Sequence, residues 1–399
     1  MILNVESEII QGIILDRTEL SMKIVIAPDS FKESLSAKEV CQAIENGLNK
    51  VWKDAEIVHV PVADGGEGTV QSLIDATDGH MEFVKVTGPL YEDVDAFYGV
   101  LGDGKTAVIE MAAASGLHHV IPEKRDPKLT SSYGTGELIQ HALDKGITKL
   151  IIGLGGSATN DGGMGMLTAL GVQFFDVEGN TVSSNGLGLD QIESIDVSGL
   201  DSRLSGCEIL VACDVDNPLC GPSGASATFG AQKGAAASDI ELLDRGLRHF
   251  SEKAAKLLSK TIADIPGAGA AGGMGAALLG FTSAQLKSGI DIVIETVDLD
   301  DKVSNADLVI TGEGRIDWQT VHGKTPMGVA QTAKKYDVPV VALAGCVGDN
   351  YQAVYQYGID AVFVAIPRAF DLPTAFSEAA VNLENLAENV ARIWMLNRN

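Results

Sequence analysis

Basic residues are scarce in this sequence. Its 399 residues contain 29 Lys and Arg against 54 Asp and Glu, so the formal net charge at pH 7 is −25. A protein that binds nucleic acid or an anionic lipid surface needs a basic face to neutralise phosphate groups. The composition therefore predicts neither a nucleic-acid partner nor a membrane partner.

Cysteine is equally scarce, and the sequence contains no C-x-x-C pair of the kind that binds zinc. The five cysteines are scattered, which is typical of reduced thiols in a cytoplasmic protein. No basic segment precedes an apolar run at the N-terminus, so a secretory signal is not indicated. Residues 265–286 lack charge over the length of a membrane span, but Pro266 and six glycines make a glycine-rich loop before a helix the better interpretation.

Glycine, by contrast, is abundant. The 45 glycines make up about 11% of the chain, against about 7% in an average protein. They are clustered within an otherwise well-mixed sequence, which suggests several loops whose backbone must approach a ligand closely.

The two ends of the chain share one pattern and the middle has another. Short β-branched runs alternate with helical patterns at both ends, which predicts a parallel sheet with crossover helices. We therefore predict an α/β fold with a discontinuous, doubly wound (Rossmann-like or flavodoxin-like) domain of residues 22–85 and 284–399. A second α/β domain, residues 86–283, is inserted into it, and residues 1–21 form an N-terminal extension ahead of a natural start at Met22.

Ligands of open parallel sheets bind at the carboxyl ends of the strands. In this sequence the predicted strand ends deliver Asp29, Asp64, Glu313 and Arg315 to one edge. We expect the active site in the cleft between the two domains.

Three segments fit nucleotide motifs, and one of them, residues 267–272 (G-x-G-x-x-G), follows Pro266 and has no preceding strand. Residues 99–106 fit the P-loop pattern letter for letter, but the segment after the lysine is β-branched and alternating, which predicts a hairpin rather than a helix. Residues 153–158 fit the dinucleotide pattern G-x-G-x-x-A after a strand, and Asp176 follows about 20 residues later. A nicotinamide-dependent oxidoreductase is therefore one alternative.

The glycine-rich loops carry interleaved hydroxyl and charged residues. Main-chain N–H groups in such loops can bind phosphate oxygens, and nearby carboxylates suit Mg²⁺. The acidic candidates are Asp64, Glu67, Asp161, Asp214, Asp216, Glu313 and Asp317. The basic residues beside these loops, which could attract an anionic substrate in an acidic protein, are Lys32, Lys233, Arg315, Lys324 and Arg368.

Several segments, in fixed order, resemble the bacterial type 1 glycerate kinase family. The resemblance runs from Met22 almost to the C-terminus, and the segments that carry it are residues 27–34, 63–69, 109–112, 153–165, 213–225, 266–275 and 311–315. It implies two α/β domains, one inserted in the other, and ATP-dependent phosphorylation of D-glycerate, with 2-phosphoglycerate as the main product of this type.

The residue roles are our own hypotheses. Lys32 and Arg315 are expected to hold the glycerate carboxylate, with Asp29 and Ser30 beside them, and Asp64 to accept the hydroxyl proton. Glu313 and Asp214 are expected to hold Mg²⁺. The predicted ATP-phosphate contacts are Gly153, Gly155, Gly156, Ser157, Gly267, Gly269, Gly272 and Gly273. A non-catalytic sensor of phosphorylated metabolites remains a second alternative, and the oligomeric state is left open, with a homodimer allowed.

Overall fold

A computed structural model describes residues 22–66, 68–369 and 371–396. The predicted extension, residues 1–21, and Glu67 lie outside the described residues. The strands, in chain order, are β1 (Lys23–Pro28), β2 (Glu56–His59), β3 (His80–Thr87), β4 (Asp93–Val100), β5 (Thr106–Glu110), β6 (Lys149–Gly153), β7 (Gln173–Phe175), β8 (Ser194–Asp196), β9 (Glu208–Ala212), β10 (Gln285–Lys287), β11 (Leu308–Ile316), β12 (Val340–Val347) and β13 (Ala361–Val364).

The α-helices range from one turn to six turns. In chain order they are α1 (Ala37–Leu48), α2 (Thr69–Thr77), α3 (Ala112–Ser115), α4 (Tyr133–Asp144), α5 (Met164–Ala169), α6 (Ala225–Phe229), α7 (Ala237–Leu258), α8 (Ala270–Phe281), α9 (Gly289–Thr296), α10 (Leu299–Val303), α11 (Thr325–Lys334), α12 (Leu372–Ser377) and α13 (Ala379–Met395).

The chain divides into two compact units. The first contains the residues up to Pro61 and from Asp298 onward, and the second is the continuous segment Val62–Val297. These boundaries differ from the predicted ones at 85/86 and 283/284. Strand β3 pairs with β4, and β10 pairs with β9, so the segments on both sides of the predicted boundaries belong to the sheet of the second unit.

The first unit is built on a five-stranded parallel sheet in the order β2-β1-β11-β12-β13. Numbered within the unit, this is the 2-1-3-4-5 order of flavodoxin-like folds, so the doubly wound prediction is confirmed. The order reverses between β1 and β11, which pair in register from Ile24 with Leu308 to Pro28 with Gly312.

Helices cover the sheet of the first unit. Alternate residues of β1 (Ile24 and Ile26) pack in one core with the buried stripe of α1 and with α13. The two helices approach closely at Gly47, where a Cβ atom would lie 2.1 Å from the Glu384 carbonyl oxygen. Helix α1 begins at the predicted capping box, in which Ser36 and Glu39 each accept a backbone N–H of the other.

The second unit contains a six-stranded sheet in the order β10-β9-β6-β5-β4-β3. Strands β10, β9, β6 and β5 are parallel, whereas β4 and β3 are antiparallel. Its main core joins alternate residues of β5, β6 and β9 to α4, α5, α7 and α8. The carboxyl ends of the four parallel strands therefore lie along one edge.

One helical prediction needs correction. The predicted final helix, about 374–395, is interrupted at Glu378, between α12 and α13. The uncharged segment 265–286 forms a turn, helix α8 and the start of β10, as its glycines predicted. In the part of the chain that the structure describes, no helix is long and apolar enough to cross a membrane.

Candidate active site

Asp29 lies at the point where the strand order of the first unit reverses, which is where open α/β sheets bind ligands. It follows β1, and its N–H donates to the Gly312 carbonyl on β11 at 2.8 Å. Its carboxylate accepts the Ser30 N–H at 2.6 Å and the Thr325 hydroxyl at 2.7 Å. Asp29 is thereby held against the first turn of α11.

Glu313 lies on the neighbouring strand, β11. Its carboxylate accepts the Thr320 hydroxyl at 2.6 Å and lies 3.4 Å from Lys324 Nζ. Burial raises the pKa of Glu313 above its ordinary value, and the Asp29 carboxylate acts in the same direction, whereas Thr320 and Lys324 oppose the rise. The predicted pair Asp29 and Glu313 is therefore brought together at this edge.

Arg315 and Lys32 lie on adjoining segments beside these carboxylates. A Cβ on Gly314, the residue before Arg315, would lie 3.7 Å from the Lys32 backbone nitrogen. Both long side chains are exposed, and Arg315 Nε pairs with the buried Asp317 at 3.1 Å. Two exposed cations on touching segments can bind a small carboxylate.

Asp214 and Asp64 lie near each other in the second unit. Asp214 follows β9 and accepts the Gly289 N–H at 2.9 Å, at the start of α9. The turn after Asp64 packs on the same glycine, because a Cβ on Gly289 would lie 2.0 Å from the Asp64 carbonyl oxygen. Burial raises the pKa of Asp214, the Gly289 N–H opposes this, and the negative charges of Asp64 and Asp291 add to it.

The segment 153–163, between β6 and α5, has an exposed tip and a buried base. Gly155 and Gly156 are exposed, and a Cβ on Gly155 would meet nothing within 4 Å. Among the described residues, neither Gly155 N–H nor Gly156 N–H donates to a protein acceptor. Such main-chain donors are suited to bind anionic oxygens.

The base of this segment is fully buried. The Asp161 carboxylate accepts the Ser132 N–H and hydroxyl at 2.8 and 2.7 Å, and also the N–H groups of Gly163 and Gly165. Burial raises the pKa of Asp161, and these four hydrogen bonds oppose the rise. Asp161 is thus a structural anchor of the loop, a role that its position between Asn160 and Gly162 does not reveal.

The second predicted phosphate loop, residues 267–275, is buried throughout. Ala271, Gly272 and Gly273 form a left-handed turn with φ of 51°, 69° and 97° at the start of α8. A Cβ on Gly272 would lie 2.1 Å from the Thr159 carbonyl, and Gly162 N–H donates to the Gly272 carbonyl at 2.9 Å. Phosphate binding by Gly267, Gly269, Gly272 and Gly273 stays a prediction, and their environment here is close packing against segment 153–163.

Residues 99–106 and residues 153–158, which fit the P-loop and dinucleotide patterns, both lack the helix that should follow directly after the motif. Strands β4 and β5 are the two arms of a hairpin across residues 99–106, as predicted, and Asp103 caps its turn by accepting two N–H groups. Asp176 caps an exposed turn after β7 by accepting the N–H groups of Glu178 and Asn180. No helix starts directly after residue 158, because α5 begins at Met164.

Two threonines of the site were missed by the sequence reasoning. Thr320 and Thr325 orient Glu313 and Asp29 through their hydroxyl groups. The Thr325-Pro326 pair marks a helix start, since proline is favoured in the first turn, but no motif marks Thr320. Within the described residues, no group of three or more His, Cys, Asp or Glu side chains is arranged to hold a metal ion.

The fold and the strand ends define an α/β protein of two units, one flavodoxin-like and one carrying an exposed glycine tip. A model of the glycerate kinase family matches residues 24–395. The chain therefore belongs to the glycerate kinase family and is an enzyme of that family, so the resemblance in its motifs is confirmed.

Individual relatives agree with this assignment. The chain is 59% identical over 370 residues to the glycerate kinase of Bacillus subtilis strain 168. This alignment covers 93% of this chain and 97% of that protein. The chain is 56% identical over 370 residues to the glycerate 2-kinase of Escherichia coli K12, with the same coverage. A crystal structure assigned as glycerate kinase 2 from Salmonella typhimurium LT2 has a TM-score of 0.89 and 53% identity, and the match covers 95% of this chain and all of that one.

Proposed function

We propose that this enzyme transfers the γ-phosphoryl group of Mg·ATP to a hydroxyl group of D-glycerate and releases 2-phosphoglycerate. The observation that carries the proposal is the 56% identity, over 93% of the chain, to the Escherichia coli glycerate 2-kinase. Phosphoryl transfer needs positioning and charge neutralisation rather than covalent catalysis. The exposed cations Lys32 and Arg315 and the exposed main-chain N–H groups of the glycine tip are groups of that kind.

Lys32 and Arg315 are proposed to hold the glycerate carboxylate. Their exposure and the contact between their segments support this role. Asp29 and Ser30 would accept and donate hydrogen bonds to the glycerate hydroxyl groups. The Thr325 hydroxyl fixes one Asp29 oxygen, and the Ser30 N–H fixes the other, so the carboxylate is already oriented.

Asp64 is proposed as the general base that accepts the proton of the attacking hydroxyl group. Asp214 and Glu313 are proposed to hold Mg²⁺. Carboxylate oxygens are the ligands that Mg²⁺ prefers. A cation would offset the burial that raises the pKa of both groups and the negative charge of their neighbours, Asp64 and Asp291 beside Asp214 and Asp29 beside Glu313. When bound, the ion would neutralise phosphate charge.

Gly153, Gly155, Gly156 and Ser157 are proposed to bind the ATP phosphates. The exposed N–H groups of the glycine tip support this role. Gly267, Gly269, Gly272 and Gly273 are buried, so we propose that they contribute to ATP binding mainly by supporting the segment that carries the tip. We also propose a cytoplasmic location, which the scattered free cysteines support, and homodimer formation stays a prediction.

The test is an assay of ADP formation with Mg·ATP and a panel of small hydroxy acids, with the product identified by ³¹P NMR. We expect turnover with D-glycerate and a phosphate on the C2 oxygen. Phosphate on C3 would overturn the product assignment. Binding of ATP without turnover would favour a sensor, and reduction of NAD by glycerate would favour an oxidoreductase.

A further inference from the structure

Lys233 is a fully buried lysine in the second unit. It ends a short 3₁₀ helix, Ala231–Lys233, and its side chain is among the largest that are wholly buried in the described residues. Lysine is rarely buried unless it is paired, because removing an ammonium group from water is costly. The sequence predicted Lys233 as one of the cations beside the glycine-rich loops, and its burial calls for a specific role.

The ammonium group binds the base of the glycine-rich segment. Lys233 Nζ donates to the Ser157 hydroxyl at 2.8 Å and to the Thr159 carbonyl at 2.7 Å. These two acceptors flank Ala158 and follow directly after the exposed Gly155–Gly156 tip. Lys233 therefore fixes the backbone on the buried side of the tip.

The charge of Lys233 has little direct compensation. Asp161 is the charged group that acts on it among the described residues, and it acts through space, because its own oxygens accept N–H and O–H groups of Ser132, Gly163 and Gly165. A buried cation without an ion-pair partner produces a positive potential at nearby accessible points. The nearest exposed backbone in sequence is the glycine tip.

A neighbouring hydroxyl group is also unsatisfied. Thr159 is completely buried, and its Oγ1 has no hydrogen-bond partner in the described part of the chain. Buried polar atoms are almost always paired, so this exception at the base of the loop calls for an explanation.

We propose that Lys233 is a positioning residue that holds the Gly155–Gly156 tip in a phosphate-binding conformation and supplies positive potential to it through Ser157 and Thr159. This inference rests on the proposed function, since it assumes that the tip binds the phosphates of ATP.

Burial also brings the titration of Lys233 into the neutral pH range. It lowers the pKa of Lys233 to about 7, and the Asp161 carboxylate opposes this lowering. The ammonium form therefore predominates at pH 6 and the neutral amine at pH 9. A phosphate whose last pKa lies near 6 is about nine-tenths ionised at pH 7, so ATP itself contributes little to a pH dependence between pH 7 and 9. Between pH 7 and 9 the loss of the Lys233 charge should weaken ATP binding.

The test uses Lys233→Met in the full-length enzyme, after the wild type has been shown to phosphorylate D-glycerate. We expect the KM for ATP to rise about 10-fold or more, as for the loss of charge-assisted hydrogen bonds, and the KM for glycerate to change less than about 3-fold. The wild-type KM for ATP should rise between pH 7 and 9, and this dependence should be absent from the variant. Equilibrium binding of Mg·ATP should follow the same pattern.

Two controls separate this role from a general loss of stability. Lys128→Met removes a partly exposed lysine that pairs with Asp239 at 2.8 Å, and Leu143→Ala opens the core in the last turn of α4, at the opposite end of the strands from the loop. Both should keep the wild-type KM for ATP. An unchanged KM for ATP in folded Lys233→Met would overturn the proposal.

If Lys233→Met does not fold, the wild-type pH profile decides, and a KM for ATP that is constant from pH 7 to 9 would overturn the proposal. An enzyme without glycerate kinase turnover would instead refute the proposed function. The two failures are therefore distinguishable.

Discussion

At the carboxyl ends of its parallel strands, the first unit carries charged side chains, whereas the second has an exposed glycine tip in addition to the carboxylates of Asp64 and Asp214. Asp29 and Glu313 lie at the first edge, held by threonine hydroxyl groups, with Lys32 and Arg315 exposed beside them. At the second edge, β6 leads into an exposed glycine tip. Side chains can discriminate a small hydroxy acid, while main-chain N–H groups suit the repeated oxygens of a polyphosphate.

The second edge depends on packing between two glycine-rich segments. Segment 267–275 has no exposed tip of its own, and its left-handed turn fits against Thr159 and Gly162. The exposed segment is therefore supported by the buried one. Substitutions can separate these two uses of glycine.

The largest effect is expected from Gly272→Ala. The new Cβ would lie 2.1 Å from the Thr159 carbonyl oxygen, and φ at this position is 69°. A left-handed alanine costs about 1–2 kcal/mol and overpacking a further 1–3 kcal/mol. We therefore expect a loss of about 2–5 kcal/mol in the free energy of unfolding, measured by denaturant titration.

Gly155→Ala is the matched control for this change. Its Cβ would meet nothing within 4 Å, so stability should stay within about 0.5 kcal/mol of the wild type. Equal destabilisation by the two substitutions would contradict the division into an exposed tip and a buried support.

The next largest effect is expected at Asp64, the proposed general base at the second edge. Asp64→Asn preserves the bond that Oδ1 accepts from Gly66 N–H at 3.2 Å but removes the basic oxygen. If Asp64 is the general base, kcat should fall about 10²-fold or more. Asp291→Asn, which removes a neighbouring exposed carboxylate, should leave kcat within about 3-fold. Near-normal turnover of Asp64→Asn would remove Asp64 from this role.

The next substitution, at Arg315 of the first edge, should affect glycerate binding alone. Arg315→Lys keeps the charge opposite Asp317 but loses the planar fork that grips a carboxylate with two hydrogen bonds. We expect the KM for glycerate to rise about 10-fold while the KM for ATP is unchanged. Arg392→Lys, on the surface pair with Glu388, is the control. Equal KM values for glycerate in both variants would exclude the Arg315 clamp.

Sequence alone predicted the flavodoxin-like unit and the inserted unit, because short β-branched strands and a capping box are local signals. It could not separate the two glycine-rich segments. Gly155 and Gly272 are both glycines of similar G-x-G sequence patterns. Only the packing of segments distant in sequence leaves Gly155 exposed and Gly272 buried. The same limit applies to Lys233, because the sequence around it does not encode the depth of its side chain.

The smallest effect is expected from Glu313→Gln. This substitution tests whether the ionised Glu313 carboxylate lowers the stability of the folded state. Burial raises the pKa of Glu313, so the folded state disfavours the ionised carboxylate, and this penalty is complete once the pH exceeds the folded-state pKa. Glutamine can still accept a hydrogen bond from the Thr320 hydroxyl group, although it loses the charge opposite Lys324.

We therefore expect Glu313→Gln to gain about 1 kcal/mol in stability at pH 7, with reduced turnover. The gain should disappear as the pH falls below the unfolded-state pKa of about 4.3, toward pH 3, where the carboxyl group is protonated in both the folded and the unfolded state. Glu56→Gln, an exposed carboxylate of the same unit, should show no such pH-dependent gain in thermal melting. A destabilised Glu313→Gln at pH 7 would mean that the pairing with Lys324 outweighs the cost of burial, and the first edge would then be a stabilising ion network rather than a site prepared for a cation.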